Sequence, residues 1–281
     1  MYYLLITISA LLFSLQFLFN DGFQKENGNT LSATLKFSVY TSVIGCVLLL
    51  FTNHLKLEVS VFSLIVSIVY SLIGILLNYA SIQAFSYANL SVYSIFAMLG
   101  GMVLPFLYGL LKGEDTNLLR IMCCVFITIA LFMTISDGKH SGKAVKYYVL
   151  VFVLNGMVGV VSSFHQSYGN ICVDSSSFLI LTKIITTMIC IALMLMQSKK
   201  DFAVSTKSLL FCGGHSVFNS VGNLFLLISL LHLPTSVQYP IVTGGTIVFS
   251  TIIDKLRGIS ISKKEIFAAL VALISSVLMA M

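Results

Sequence analysis

GGHSVFNSVGNLFLLISLLHLPTSVQYPIVTGG, residues 213–245, is apolar enough to lie in a bilayer, yet His215, Asn219 and Asn223 recur along it every four residues. Residues three or four apart share one helix face, so these side chains form a single polar stripe on one apolar helix. After a short break at His232 to Pro234, a second apolar segment carries Gln238, Tyr239, Thr243 and the Gly244-Gly245 pair. In hydrocarbon a polar stripe is tolerated only against protein or a water-filled cavity. The stretch therefore predicts a polar seam buried in a membrane domain, the pattern of a substrate path.

The rest of the chain has the composition this requires. Only 9% of its 281 residues are charged and 58% are hydrophobic, whereas a soluble domain carries roughly 25% charged residues. The longest polar breaks, 20–30, 136–146 and 198–205, leave no room for a soluble domain. The first apolar run, Tyr2 to Phe19, lacks a basic leader and a small-residue cleavage site, and reads as a helix that stays. Six scattered cysteines without zinc-ligand spacing read as small apolar fillers. The net charge of +6 lies mostly in loops of the second half, which speaks to membrane topology and not to nucleic acid.

A span needs about 20 mostly apolar residues, and the chain offers ten: 2–19, 31–52, 61–85, 89–111, 117–135, 147–167, 176–197, 207–230, 235–253 and 264–281. Shifting the chain by 145 residues lays Tyr2-Tyr3 on Tyr147-Tyr148, Asn78 on Asn223, Ser91-Val92 on Ser236-Val237 and Gly100 on Gly245. A two-residue slip in the first loop also brings Lys36 onto Lys183. These uncommon intramembrane residues, recurring at one register, point to two related halves, 1–138 and 145–281. Five spans is an odd number, so the halves enter the bilayer in opposite senses. The expectation is an all-α polytopic membrane protein of ten transmembrane helices, arranged as a 5+5 inverted-topology repeat with its site near the midplane between halves.

At this point the sequence resembles the drug/metabolite transporter superfamily, in its EamA-like branch. Ala80-Ser81-Ile82-Gln83-Ala84 through Leu99-Gly100-Gly101, and Leu227 through Gly245, are similar to that family's third-to-fourth-helix segment, in which a short loop precedes a helix with a small-residue face. Lys112-Gly113-Glu114 resembles the Gly-Glu step after its fourth span. Lys36 stands where such proteins often carry an arginine, and Lys183 repeats it. The chain departs from the pattern at Gly258-Ile259, where Gly-Glu would be typical, and at Ile95, where the second copy has Pro240. The resemblance implies a multi-pass transporter of the cell membrane.

The residues that could select a substrate follow from the seam and its repeat. Asn78 and Asn223 sit near the middle of the third and eighth spans and offer donors and acceptors without charge; they either bind a polar substrate or join helices. His215 and Asn219 face Tyr70 and Gly74 in the other copy, and this asymmetry favours a role in selection or proton movement. Lys36 and Lys183 either snorkel to the interface or line a cavity mouth and attract anionic solutes. Tyr93, Tyr239 and Thr243 are candidate cavity walls. The paired glycines at 100–101, 213–214 and 244–245 read as packing faces.

The related small multidrug resistance proteins use a first-helix carboxylate to bind cations and protons. The first span here offers only Thr7, Ser9, Ser14 and Gln16, and no acidic residue lies deep in any span, which disfavours a carboxylate-centred antiporter. There is no G-x-x-x-x-G-K-[ST] for ATP, no metal or cofactor motif, and no nucleophile–base pair for an intramembrane enzyme. The leading expectation is a secondary transporter moving a small polar or amphipathic metabolite, amino-acid-like or sugar-like, by alternating access. Its partners would be a small-molecule substrate and the lipid bilayer, with the site between the first, third, fourth, sixth, eighth and ninth spans. An exporter of hydrophobic compounds, a lipid-carrier flippase and a non-transporting membrane interaction subunit are the alternatives. Basic residues cluster in the loops opposite the termini, so the positive-inside rule places both termini outside.

Overall fold

The computed structural model describes residues 1–87, 89–113, 142–197 and 202–280, with isolated positions between 118 and 128. Among them run nine α-helices and no strand: α1 (Tyr2–Asn27), α2 (Leu31–Thr52), α3 (Val61–Ala84), α4 (Leu90–Leu111), α5 (Gly142–Gln166), α6 (Ser175–Leu195), α7 (Thr206–Leu230), α8 (Thr235–Leu256) and α9 (Lys263–Ala280). Helices α5 to α9 are the sixth to tenth expected spans. The fifth, 117–135, lies outside the described residues apart from those isolated positions. The protein is all-helical and polytopic, and seven helices, α1 to α7, are long and apolar enough to cross a membrane.

The helices start where side chains can replace missing backbone partners. Thr30, Ser60, Asn89, Asp174 and Ser205 each precede a helix and accept an N–H from its first turn. Ser262 and Glu265 exchange bonds in the same way at the start of α9. These caps end each polar connection within a few residues and return the chain to the bundle.

One boundary differs from expectation. The polar break at 20–30 is not a loop: α1 continues through Asn27. Its last two turns remain helical because their polar groups find protein partners. Lys25 pairs with Asp21 one turn back at 2.8 Å, Asn27 bonds Ser208 of α7 at 2.9 Å, and Asp21 pairs with Arg257 at 2.9 Å. Asp21 is only 2% exposed, so an acidic side chain lies buried in the last turns of the first helix, at the end of the bundle and outside the expected span 2–19.

Packing follows small residues and hydroxyls. The carbonyls of Gly222, Thr246, Thr41 and Thr182 accept from Ser9, Ser14, Ser216 and Ser71 respectively, each across a helix pair. Such contacts are worth about 0.6 kcal/mol each in membrane proteins, so their number and register do the work. Helix α5 runs parallel to α4, with Gly100 beside Phe152 and Pro105 beside Gly159. It runs antiparallel to α3, with Ser63 beside His165 and Tyr79 beside Tyr147. Helix α1 repeats this relation: it is parallel to α8, through Ser14–Thr246 and Asp21–Arg257, and antiparallel to α7, through Ser9–Gly222 and Asn27–Ser208. Two further pairs cross antiparallel, α2 with α6 and α4 with α8.

At the α4–α5 contact the backbones come very close. A Cβ on Gly100 would overlap the Phe152 carbonyl, and one on Gly156 would lie 2.6 Å from the Gly100 oxygen. Gly100→Ala should therefore destabilise the detergent-purified protein by about 1–3 kcal/mol through overpacking. Gly213→Ala, where a Cβ meets nothing within 4 Å, should leave thermal unfolding unchanged or slightly delayed; equal effects of the two changes would contradict this packing.

Candidate functional site

Eight helices, α1 to α8, surround a central cavity of about 160 Å³, room for on the order of ten waters at roughly 15 Å³ each. Helices α2 and α6 contribute to its wall through Thr41, Ser42, Thr182 and Lys183; the site was expected between the other six. Its lining residues reach from Ser81 near the C-terminal end of α3 to Ser162 near the C-terminal end of α5. Because α3 and α5 are antiparallel, those two residues lie toward opposite ends of the bundle.

The stripe that opened the sequence faces this space. His215, Asn219 and Asn223 all line the cavity from α7. Asn219 is the centre of a connected set: its Nδ2 donates to Gln16 Oε1 at 2.7 Å, and its Oδ1 accepts from Lys183 Nζ at 2.9 Å. Asn223 Nδ2 donates to the Asn219 backbone carbonyl at 2.8 Å. His215 is 7% exposed, with Nδ1 3.3 Å from the Gln16 carbonyl and its ring edge-on to Phe37.

The opposite wall comes from α3, α4 and α8. Asn78 lines the cavity and donates to Ser38 Oγ at 3.0 Å, so it touches both a neighbouring helix and the open space. Tyr93 shares a hydrogen bond with Ser81 at 2.7 Å, stacks on Phe85 and meets Phe17 edge-on. Tyr239 donates to the Gly159 carbonyl at 3.1 Å, and Thr243 donates to the Met98 carbonyl at 3.1 Å. Those two hydroxyls are spent on the frame, and their side chains act mainly as shaped walls.

Lys36 and Lys183, equivalent in the sequence alignment of the halves, have different surroundings. Lys36 lies outside the cavity, near the start of α2, and donates to the Ala203 carbonyl at 2.8 Å. Lys183 lies near the midpoint of α6 and inside the cavity. Sequence reasoning gave little weight to Gln16, Asn20 and Asn155, all of which line the same space. Asn155 donates to the Ala97 carbonyl. The signal for it was available, since an amide within an apolar run was the reason for choosing Asn78. Asn20 was obscured by the assumption that α1 ended before it. Its Oδ1, together with Ser220 Oγ on the same lining, is buried without a partner among the described residues.

Each end of the bundle carries a polar closure. Where α1 and α8 finish, Asp21 pairs with Lys25 and Arg257, while Arg257 reaches Asp254 at 3.4 Å. Asp254 also accepts the Ser91 N–H at 2.6 Å at the start of α4, where a helix N-terminus favours a carboxylate. At the other end His165 is fully buried, bonded to Ser63 at 2.9 Å and stacked on Phe178 at 3.9 Å. It does not line the cavity.

No family model and no curated protein matches this chain. Among solved structures it is similar to a protein of known crystal structure, with a TM-score of 0.71 over 99% of this chain and 95% of that one, at 11% identity. A likeness at that identity establishes a shared fold over essentially the whole length and says nothing of activity.

The Asp21–Arg257 pair ties α1 to the end of α8 and should behave as a unit. Asp21→Asn and Arg257→Gln should each lower the thermal stability, and the double variant should be no worse than the worse single one, with a coupling on the order of 1 kcal/mol. Additive losses would show that the two side chains act independently.

Proposed function

We propose that this chain is a secondary transporter that carries a small polar or amphipathic metabolite across the cell membrane by alternating access, without ATP hydrolysis. The observation that carries the reading is the central cavity, lined by amides, hydroxyls and aromatic rings from eight helices. Polar groups at that depth are costly unless they serve a path or pair with one another, and several of these keep free hydrogen-bonding capacity toward the space.

The reading includes ten spans arranged as a 5+5 inverted repeat, of the kind found in EamA-like drug/metabolite transporters. Two features of the packing support it. Helices α4 and α5 run parallel, so a further crossing between them, in the expected fifth span, would bring the chain back. Helix α1 sits against α7 and α8 as α5 sits against α3 and α4, and in the repeat these are corresponding helices entered in opposite senses. The α2–α6 and α4–α8 pairs then lie on the pseudo-two-fold axis. Alternating access in such a plan is rocking of one half against the other about a fixed site. The ionic closure at Asp21–Arg257–Asp254 and the His165–Ser63 closure would be the contacts that part in turn. Among the described residues, Lys25, Lys146, Lys207, Lys255, Arg257, Lys263 and Lys264 belong to the end where α1 finishes, which favours that end facing the cytoplasm and both termini outside.

The test is flux. In proteoliposomes, Asn78→Leu and Asn223→Leu should each abolish uptake or counterflow while the proteins insert normally and remain monodisperse. Unimpaired transport by both variants would remove the cavity from the mechanism.

A further inference from the structure

We propose that the cavity recognises a monovalent organic anion, a carboxylate on an apolar or aromatic body, with Lys183 Nζ and Gln16 Nε2 as the groups that hold it. The inference rests on the transport reading for its physiological meaning, but the binding site itself can be tested without any flux.

The first observation is charge. Among the described residues lining the cavity, Lys183 is the only lysine or arginine, and no carboxylate lines it. The ion pairs among described residues involve Lys25, Lys207 and Arg257, all at the end of the bundle where α1 finishes. Lys183 therefore brings an ammonium to the middle of the bundle, where its one bonded partner among the described residues is the neutral Asn219 amide. A desolvated ammonium without a counter-ion is disfavoured, and an incoming anion removes that penalty. Snorkelling does not explain the residue. It lies eight residues from the start of α6, about 12 Å by helical rise, and its ammonium turns into the bundle toward α7.

The second observation is the direction of the hydrogen bonds. A lysine ammonium can only donate, so the Asn219 group facing Lys183 has to be the carbonyl oxygen. The Asn219 nitrogen then faces Gln16, which must present its own oxygen to it, at 2.7 Å. This leaves the Gln16 nitrogen with no acceptor among the described residues, and Lys183 with N–H bonds unused in the same cavity. The lysine thus polarises the whole chain of amides, and the end it leaves unfinished consists of donors. A carboxylate is acceptor-only and completes it with charge-assisted bonds.

The third observation excludes the neighbouring classes. One fixed positive charge matches one negative charge, not a phosphate dianion. An α-ammonium group would meet Lys183 within the same space and find no lining carboxylate, so cations and zwitterions are disfavoured relative to simple acids. Phe13, Phe17, Leu77, Met98, Leu226 and Val242 supply the apolar part of the wall, suited to the body of the molecule.

The experiment measures binding to the purified full-length chain in detergent by calorimetry and thermal shift. The probes are acetate, hexanoate, benzoate and phenylacetate, with phenylacetamide, phenethylamine, phenylalanine and phenylphosphonate as comparisons. The expected result is that at least one carboxylate binds about 10- to 100-fold more tightly than its amide or amine counterpart. Lys183→Gln should erase that preference, and Lys183→Arg should keep most of it. No binding by any carboxylate at 10 mM (roughly the weakest useful range), equal binding of acid and amide, or preference for the dianion would overturn the inference. So would undiminished carboxylate affinity in Lys183→Gln. The comparison of wild-type affinities stands even if that variant fails to fold. Selective binding without counterflow in proteoliposomes would sink the transport reading and leave the anion site intact.

Discussion

A polar side chain inside hydrocarbon has to find protein or water, and this bundle is arranged around that requirement. The Gln16–Asn219–Lys183 chain joins α1, α7 and α6 near the middles of those helices. Serine and threonine hydroxyls add further links by donating to carbonyls of neighbouring helices. Each such bond is weak, and together they fix the register in which eight helices face one cavity. Of the buried polar atoms left without a partner among the described residues, Asn20 Oδ1 and Ser220 Oγ belong to side chains that line the cavity.

The same constraint shapes the two ends. Asp21 and Asp254 are almost fully buried yet flank a single arginine, and Asp254 also takes a backbone N–H at the start of α4. Such a cluster is held by its partners and is sensitive to their position. At the opposite end His165 is held by the Ser63 hydroxyl, the Gln166 amide and aromatic faces, with no ion pair to it among the described residues. An ionic closure at one end and an uncharged one at the other differ in how water and ions act on them, which gives the two sides of the bundle distinct properties despite similar helix packing.

Most of the helix boundaries were legible in the sequence, because long apolar runs and capping residues are local signals. The stripe at His215, Asn219 and Asn223 was legible for the same reason: helical spacing needs no tertiary information. The C-terminal turns of α1 were misread because Asp21 and Lys25 look like a loop until Arg257, 236 residues away in sequence from Asp21, is brought beside them. The two lysines were indistinguishable by sequence depth. Only the packing of α6 against α7 separates Lys183, on Asn219, from Lys36, on the Ala203 carbonyl. Gln16 was visible as a polar residue, but its importance depends on a hydrogen-bond direction that starts on another helix.

The central claim is that the seam between the helices is a hydrated passage and not a packed polar core. Single cysteines at Ser81 and at Ser162, in a background without native cysteines, would measure this with a membrane-impermeant thiol reagent on oriented proteoliposomes. Both residues line the cavity, toward opposite ends. The account expects both positions to react, each from its own side of the membrane, with carboxylate ligands shifting the balance between them. Complete protection of both positions, with or without ligand, would contradict it and make the seam structural.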